Sequence, residues 1–527
     1  MGARDIGERH VAAGFALLGA LVVLGHAWVT EDAFITFRYV SNTLQGHGPV
    51  FNVGERVQGF THPLWFLLLT VGCCVYRDPV IVSAIVGVAL TFATIFLVGM
   101  ALFRTPGVAR AQATLGTASF TILCVASDPW LAFQTSGLEN SLSNLLVAAV
   151  VVESCQRGLA RPFRLSLLLS LLCLSRPDLA LIALPVSGLL LSSARRLRTL
   201  LAIGAGALPL LGWLVFAWLY YGNLIPNTAY AKLGIFADWQ DAVELGIAYV
   251  GDWIVHDPIA AAGWALFLYF GLRFARTSGE HACAAGIVLH LLWIVWIGGD
   301  FMRGRFLLPG FTASLVFGLV LASSRPWLRA AFLTPPRMAT VAAILLALSV
   351  IKFQQDRDPG DLGGIVNERT YYPGYHLRSY LRTGQLTNPY VDLTFAEDLR
   401  TYARRFGPVT IHSRNPGTLG YLSGPEVSVI DTLGLTDAYI ARLPRALLID
   451  REPRPGHPDK AIPLAYLAQR GDISFLWGWR EAVRTGDGRL PSRAREFGHS
   501  NAFWVPRDPD GKIVEKWTGP AARPKRD

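Results

Sequence analysis

Two adjacent acids, Glu31 and Asp32, stand at the end of the first apolar stretch of the chain. A carboxylate so placed can act as general base on an attacking hydroxyl; it can equally be a charged flank at a membrane surface. The stretch that follows is richer than a connector needs. It runs through Arg38, Gly48-Pro49-Val50-Phe51-Asn52, Gly54-Glu55-Arg56-Val57 and Gly59-Phe60-Thr61-His62-Pro63. Three more polar stretches carry residues of chemical interest. Gln134–Asn140 ends in Glu139-Asn140, a pair that can bind a ligand or simply cap a helix. Tyr220–Lys232 offers Tyr221, Asn227 and Lys232, which suit a sugar-phosphate and also suit an amphipathic surface segment. Gly298–Arg305 holds Asp300, Arg303 and Arg305; the planar guanidinium takes phosphate in two-pronged fashion, or it pairs with the aspartate to anchor the loop.

The elements that must position these residues are apolar. The chain has 527 residues, 52% of them hydrophobic, and only 16% are charged, against about 25% in soluble domains. Its mean hydropathy is +0.37. This composition points to a polytopic membrane protein. The net charge of +10 is the excess expected of cytoplasmic loops and gives no reason to expect nucleic acid as a partner. The six cysteines all fall in or beside apolar segments, so neither a disulfide framework nor a zinc site is expected. Walker loops, GxGxxG after a strand, HExxH and CxxC are absent, and nucleotide-driven transport has no support. The histidines are scattered. The first apolar run lacks a small-residue cleavage site and reads as a retained helix.

A bilayer core of about 30 Å needs roughly 20 apolar residues per helix. The expected spans are 11–28, 79–103, 111–127, 141–155, 165–175, 178–192, 199–219, 258–275, 283–298, 306–323 and 332–351. The run 63–77 is short and begins at Pro63. Arginines decide its role: Arg104, Arg110, Arg157, Arg161, Arg164, Arg195, Arg196, Arg198, Arg273, Arg276, Arg325 and Arg329 all lie inside only if 63–77 does not cross. It is therefore expected to be re-entrant or surface-lying. Residues 165–192 read as a short hairpin broken at Ser175-Arg176-Pro177-Asp178, a charged pair tolerated at depth only where it lines a cavity or is paired.

The expected fold is an α-helical polytopic membrane protein of about eleven transmembrane helices with a C-terminal extracytoplasmic α/β domain. Residues 1–351 form the transmembrane module, with its first outer loop at 29–78. Residues 352–517 form the outer domain, and 518–527 a disordered tail. In that domain Val409-Thr410-Ile411 and Val427–Ile430 read as buried strands, 416–423 as a helix or turn, and Ser474–Leu476 as a further strand. The N-terminus is expected in the cytoplasm of a plasma (inner) membrane, with the polar loops and the domain on the outer face.

With these blocks in order, the chain resembles the GT-C glycosyltransferases, polytopic enzymes that use a polyprenyl-phosphate sugar and keep acids in their first outer loop. Within them it looks most like the arabinan-capping arabinofuranosyltransferases of mycobacteria. The blocks are Glu31-Asp32 with Arg38, the glycine-rich loop to Val57, Thr135–Asn140, Arg176–Ile182, Tyr220-Tyr221-Gly222 with Pro226 and Ala231-Lys232, Gly298–Met302 with Arg305, and Asp431 with Gly434-Leu435. The family's acidic pair is Asp-Asp; here it is Glu-Asp. The resemblance implies a glycosyltransferase that moves a pentofuranose, arabinofuranose first, from a polyprenyl-phosphate donor to a cell-surface glycan or glycolipid. Asp32 is then the base, with Glu31 its helper or a metal ligand. Arg56, Lys232, Arg303 and Arg305 hold the donor phosphate, with Tyr221 and Asn227 beside them. Asp300 orients the arginines or touches the sugar. Glu139, Asn140, Arg176, Asp178 and His62 face acceptor or sugar. No cofactor is demanded; a divalent cation is compatible with the acids. Competing expectations are a GT-C enzyme using another sugar on lipopolysaccharide, exopolysaccharide or protein, a lipid-linked sugar transporter, and a glycan-binding receptor.

Overall fold

The computed structural model describes residues 3–232, 236, 238–332, 336, 364–388, 393–448, 460–463, 466 and 470. Ala3–Gly25 (α1) is followed by a short helix at Ala33–Leu44 (α2). Pro63–Val75 (α3) and Pro79–Phe103 (α4) come next. Asp78 caps α4 by accepting from the backbone N–H groups of Val80 and Ile81, and Pro79 supplies the first helical position. Arg110–Ala126 (α5), Asp128–Phe133 (α6), Asn140–Gln156 (α7), Pro162–Ser175 (α8) and Ala180–Ser192 (α9) follow. Leu197–Tyr221 (α10) ends on Gly222 at φ +71°, the left-handed conformation that favours glycine. Asn227–Lys232 (α11), Trp239–His256 (α12), Pro258–Phe274 (α13), Ser278–Trp296 (α14), Leu308–Ser324 (α15) and Pro326–Phe332 (α16) complete the helical module. Helix α15 lies at its centre, nearly all of its residues buried.

The protein is a multi-pass, mainly helical membrane protein. Among the described residues five helices are long and apolar enough to cross, six if the bent pair α12–α13 counts as one span. Among the described residues the eleven expected spans are not all matched by full-length helices: α7, α8 and α9 have 17, 14 and 13 residues, the last two lying where the short hairpin is expected. Arg176 adopts an extended backbone (φ −158°) and Pro177 prevents helix α8 from continuing. Helix α3 has 13 residues, about 20 Å of helix, too short for a bilayer core and in keeping with a re-entrant or surface element. Helix α12 was not expected; its bend of 114° against α13 occurs at Asp257-Pro258. The expected span 332–351 lies almost wholly outside the described residues, as do the Ser474–Leu476 strand and the tail from 518.

Several arginine-rich loops meet at one end of the bundle. Arg110 donates to Gly7 O, Arg329 to Pro106 O, and Arg325 pairs with Glu280 at 2.6 Å. The polar loops meet at the other end, under the C-terminal segment. There Glu368–Tyr371 (α17), Leu377–Thr383 (α18) and Leu393–Phe406 (α19) precede a parallel β-α-β unit. Val409–Ser413 (β1) pairs in parallel with Val427–Asp431 (β2), Val409 opposite Val427, with Pro416–Ser423 (α20) between them. A four-residue helix, Ala438–Ala441 (α21), follows. Both expected strands and the expected short helix are thus present.

Candidate active site

The turn that carries Glu31 and Asp32 is held from three sides. Thr30 N–H donates to Ser136 O (2.8 Å), Val29 N–H to Tyr375 O (3.0 Å), and Leu377 N–H to Ala27 O (2.9 Å). Asp32 occupies the position before α2, yet its side chain makes no capping hydrogen bond. It is half-buried, and among the described residues no hydrogen bond or ion pair engages its carboxylate. Glu31 is the opposite case. It is buried, and its Oε1 accepts from the Thr418 N–H at the start of α20 (2.9 Å). Burial, with Asp32 beside it and Asp431 near, pushes the Glu31 carboxyl up to about 8. The first turn of α20 offsets part of this, since backbone N–H groups at a helix start favour negative charge.

The second half of the site is an ion network built on Glu139. This residue stands at the start of α7 but does not cap it. Its carboxylate instead meets His62 Nδ1 at 2.9 Å and Arg176 at 3.1 Å, with Arg305 at 4.0 Å. Burial opposes its charge, but His62, Arg176 and Arg305 together hold it below the usual carboxylate range. His62 Nε2 pairs with the Thr36 hydroxyl on α2 at 2.8 Å, which ties the network to the acidic turn. Arg176 also pairs with Asp178 at 2.9 Å, and Asp178 with His290 at 3.2 Å. Arg305 faces Asp300 at 3.6 Å and its backbone O accepts from Asn140. Arg303 pairs with Asp252 at 2.9 Å. The Arg176 and Arg305 guanidinium groups both lie against the Phe306 ring, 4.4 and 5.3 Å from its centre. Buried charges at this density persist only when mutually paired.

The remaining expected residues gather elsewhere along the first loop. Arg56 stacks on Tyr220 at 4.7 Å, and Tyr221 Oη donates to Pro49 O. The Asn227 amide donates to Gly434, Leu435 and Asp437 carbonyls and accepts from Arg442, so it joins α11 to the C-terminal segment. Lys232, half-buried at the end of α11, makes no ion pair among the described residues. The structure therefore brings Glu31, Asp32, His62, Glu139, Asn140, Arg176, Asp178, Asp300 and Arg305 into one connected region. It sets Arg303 beside this region on Asp252, and Arg56, Tyr221, Asn227 and Lys232 along the loop and its seam with the domain.

Two acids in this neighbourhood were not picked out as site residues. Glu368, buried, accepts from the Thr30 hydroxyl. Asp431, at the end of β2, accepts from the Leu433 and Thr436 N–H groups, and burial pushes it up to about 7 against those bonds. Among the described residues no group of three or more His, Cys, Asp or Glu is arranged to hold a metal ion.

No family model matches the chain. It is 26% identical to the terminal β-(1→2)-arabinofuranosyltransferase of Corynebacterium glutamicum, over 92% of this chain and 80% of that protein. It is 30% identical to the protein of the same name from Mycobacterium tuberculosis, over 53% of this chain and 50% of that one. A looser structural likeness is to ArnT from Cupriavidus metallidurans bound to undecaprenyl phosphate, with TM-score 0.44 and 14% identity, covering 84% of this chain and 77% of that chain. That score is too low to bear on the site. The resemblance read from the motifs is borne out by the two sequence relatives, and the chain is a membrane glycosyltransferase.

Proposed function

We infer that the protein transfers a pentofuranose, arabinofuranose first, from a polyprenyl-phosphate donor to a glycan acceptor at the outer face of the membrane. The observation that carries the reading is Asp32: a half-buried, unengaged carboxylate beside a region of buried arginines. In this account the acceptor hydroxyl gives its proton to Asp32 as its oxygen attacks C1 of the sugar. The C1–O bond breaks, and its electron pair leaves on the lipid phosphate. Arg305, which faces both Glu139 and Asp300, neutralises the leaving charge; preorganised cations in a water-poor site are worth more than in bulk. Glu31, protonated near neutral pH, completes the turn without competing for the proton. The sugar is supported by the names of the two relatives, and the lipid-phosphate donor by the resemblance to GT-C enzymes. The distribution of charge supports a cytoplasmic position for the arginine-rich end of the bundle.

The test is direct. Purified protein in nanodiscs is given polyprenyl-phosphate arabinofuranose and an arabinan oligosaccharide. Gain of one pentose by mass supports the reading, and the anomeric configuration of product against donor reports whether transfer inverts or retains. Retention calls for a carboxylate nucleophile or same-face attack. Transfer from a hexose donor in place of the pentose contradicts the sugar assignment.

A further inference from the structure

Glu368 lies outside every polar loop of the helical module, yet it reaches the site. The segment around it is threaded between two loops. On one side Val366 N–H donates to Phe301 O (2.8 Å) and Arg303 N–H to Val366 O (3.0 Å), a short parallel pairing of Met302 with Val366. On the other, Trp28 pairs with His376 in antiparallel fashion, and Val29 and Ala27 bond Tyr375 and Leu377. Glu368 thus sits where the chain passes from the Phe301–Arg303 loop to the Ala27–Thr30 stretch. Its Oε2 accepts from the Thr30 hydroxyl, two residues from Asp32. Its Oε1 has no hydrogen bond among the described residues, although Glu368 is only 5% exposed. Among the described residues no cation stands at ion-pair distance from it, although the Arg305 charge is near enough to offset part of its burial.

A mostly buried acid held by one hydroxyl keeps its other oxygen available to a ligand. Burial and the neighbouring Asp32 push its carboxyl well above the usual range, so it can donate as well as accept. We propose that Glu368 belongs to the donor site: fixed by Thr30 between the acidic turn and the Arg305 loop, its free oxygen takes a hydroxyl of the sugar being transferred. This rests on the glycosyl-transfer reading, in which Asp32 marks the acceptor end and Arg305 the phosphate end of the reaction. The sugar ring is what lies between those ends, and ring hydroxyls are what it presents to a carboxyl there.

The experiment measures equilibrium binding to the full-length protein in nanodiscs. The probes are polyprenyl phosphate, polyprenyl-phosphate arabinofuranose, its ribofuranose epimer and a polyprenyl-phosphate hexopyranose. Glu368→Gln keeps the shape and still accepts from Thr30, but replaces the free oxygen by an NH2 that cannot accept from a sugar hydroxyl. The expected result is a loss of roughly tenfold or more for the glycosylated lipid that wild type prefers, the scale of one strong hydrogen bond. Bare polyprenyl phosphate should bind unchanged. Equal loss for bare and glycosylated lipids, no loss at all, or a wild type that binds both alike overturns the proposal. A wild type that prefers the hexopyranose lipid, with that preference erased in Glu368→Gln, sinks the pentofuranose reading and leaves Glu368 in the donor site. Should Glu368→Gln fail to fold, Thr30→Val carries the same comparison, with the same result expected and the same contradictions.

Discussion

Asp32 and Glu31 are neighbours in sequence with opposite surroundings, and the proposed roles rest on that difference. Glu31 is buried and spent on the Thr418 N–H; Asp32 is half-exposed and unspent. The raised Glu31 pKa has a consequence for stability. Its folded value is about 8 against 4.5 for an ordinary glutamate, so the folded state holds the proton more tightly than the unfolded chain. Its contribution is fully present below about pH 4.5 and is lost as pH rises through about 8. Thermal midpoints should therefore fall across that window, and Glu31→Gln should flatten the slope; an unchanged slope would place Glu31 outside this linkage. Glu139 is the second decisive residue. Glu139→Gln strands His62, Arg176 and Arg305 without their shared counter-charge, and should cost about 3–5 kcal/mol. The measurement is the thermal midpoint, and a midpoint equal to wild type would show that the cations are balanced elsewhere.

At the scale of elements, the acidic turn is placed by the domain as much as by the membrane helices. Arg38 on α2 donates to Phe51 O, Gly420 O and Val427 O at 2.5–2.6 Å, joining helix, loop and β-α-β unit through one buried side chain. Lysine lacks the fork that reaches three carbonyls. Arg38→Lys should lower stability by about 2–3 kcal/mol and speed hydrogen exchange in α20; exchange at the wild-type rate would show the clasp to be dispensable. Gly417 makes the same point by space. A Cβ there would stand 2.3 Å from the Glu31 backbone O and 2.7 Å from its Oε1. Gly417→Ala should therefore displace the turn and reduce transfer more than it reduces binding of bare lipid phosphate; equal losses would point to general unfolding.

These contacts also explain what was legible in the sequence. The two strands and the intervening helix could be read because Val409–Ile411 and Val427–Ile430 are apolar runs separated by turn residues. Helix α12 escaped because Asp241, Glu244 and Asp252 interrupt its apolar pattern; one of those acids, Asp252, is the partner of Arg303. Glu139, Arg176 and Arg305 stood out as charges beside apolar helices, but their convergence is a product of chain reversal that spacing does not encode. Glu368 carried no signal: it meets Thr30 across 338 residues, in a polar segment with no motif around it.

For the whole molecule, the membrane bundle and the described part of the C-terminal segment are joined around the candidate site. The segment supplies the Thr418 N–H to Glu31, the carbonyls to Arg38 and the Glu368 carboxyl. A chain ending before residue 364 should lose transfer altogether, including transfer to small acceptors that need no extended recognition surface. Retained transfer to a short acceptor would mean that the segment serves acceptor recognition alone.

The central claim is that Asp32 is the base of glycosyl transfer. Asp32→Asn, purified in nanodiscs and assayed with the glycosylated polyprenyl phosphate that wild type uses, tests it most directly. The account predicts a fall in turnover of about 10²–10⁴-fold, with thermal midpoint and bare-lipid binding as in wild type. Turnover at the wild-type level in a folded Asp32→Asn protein would contradict it.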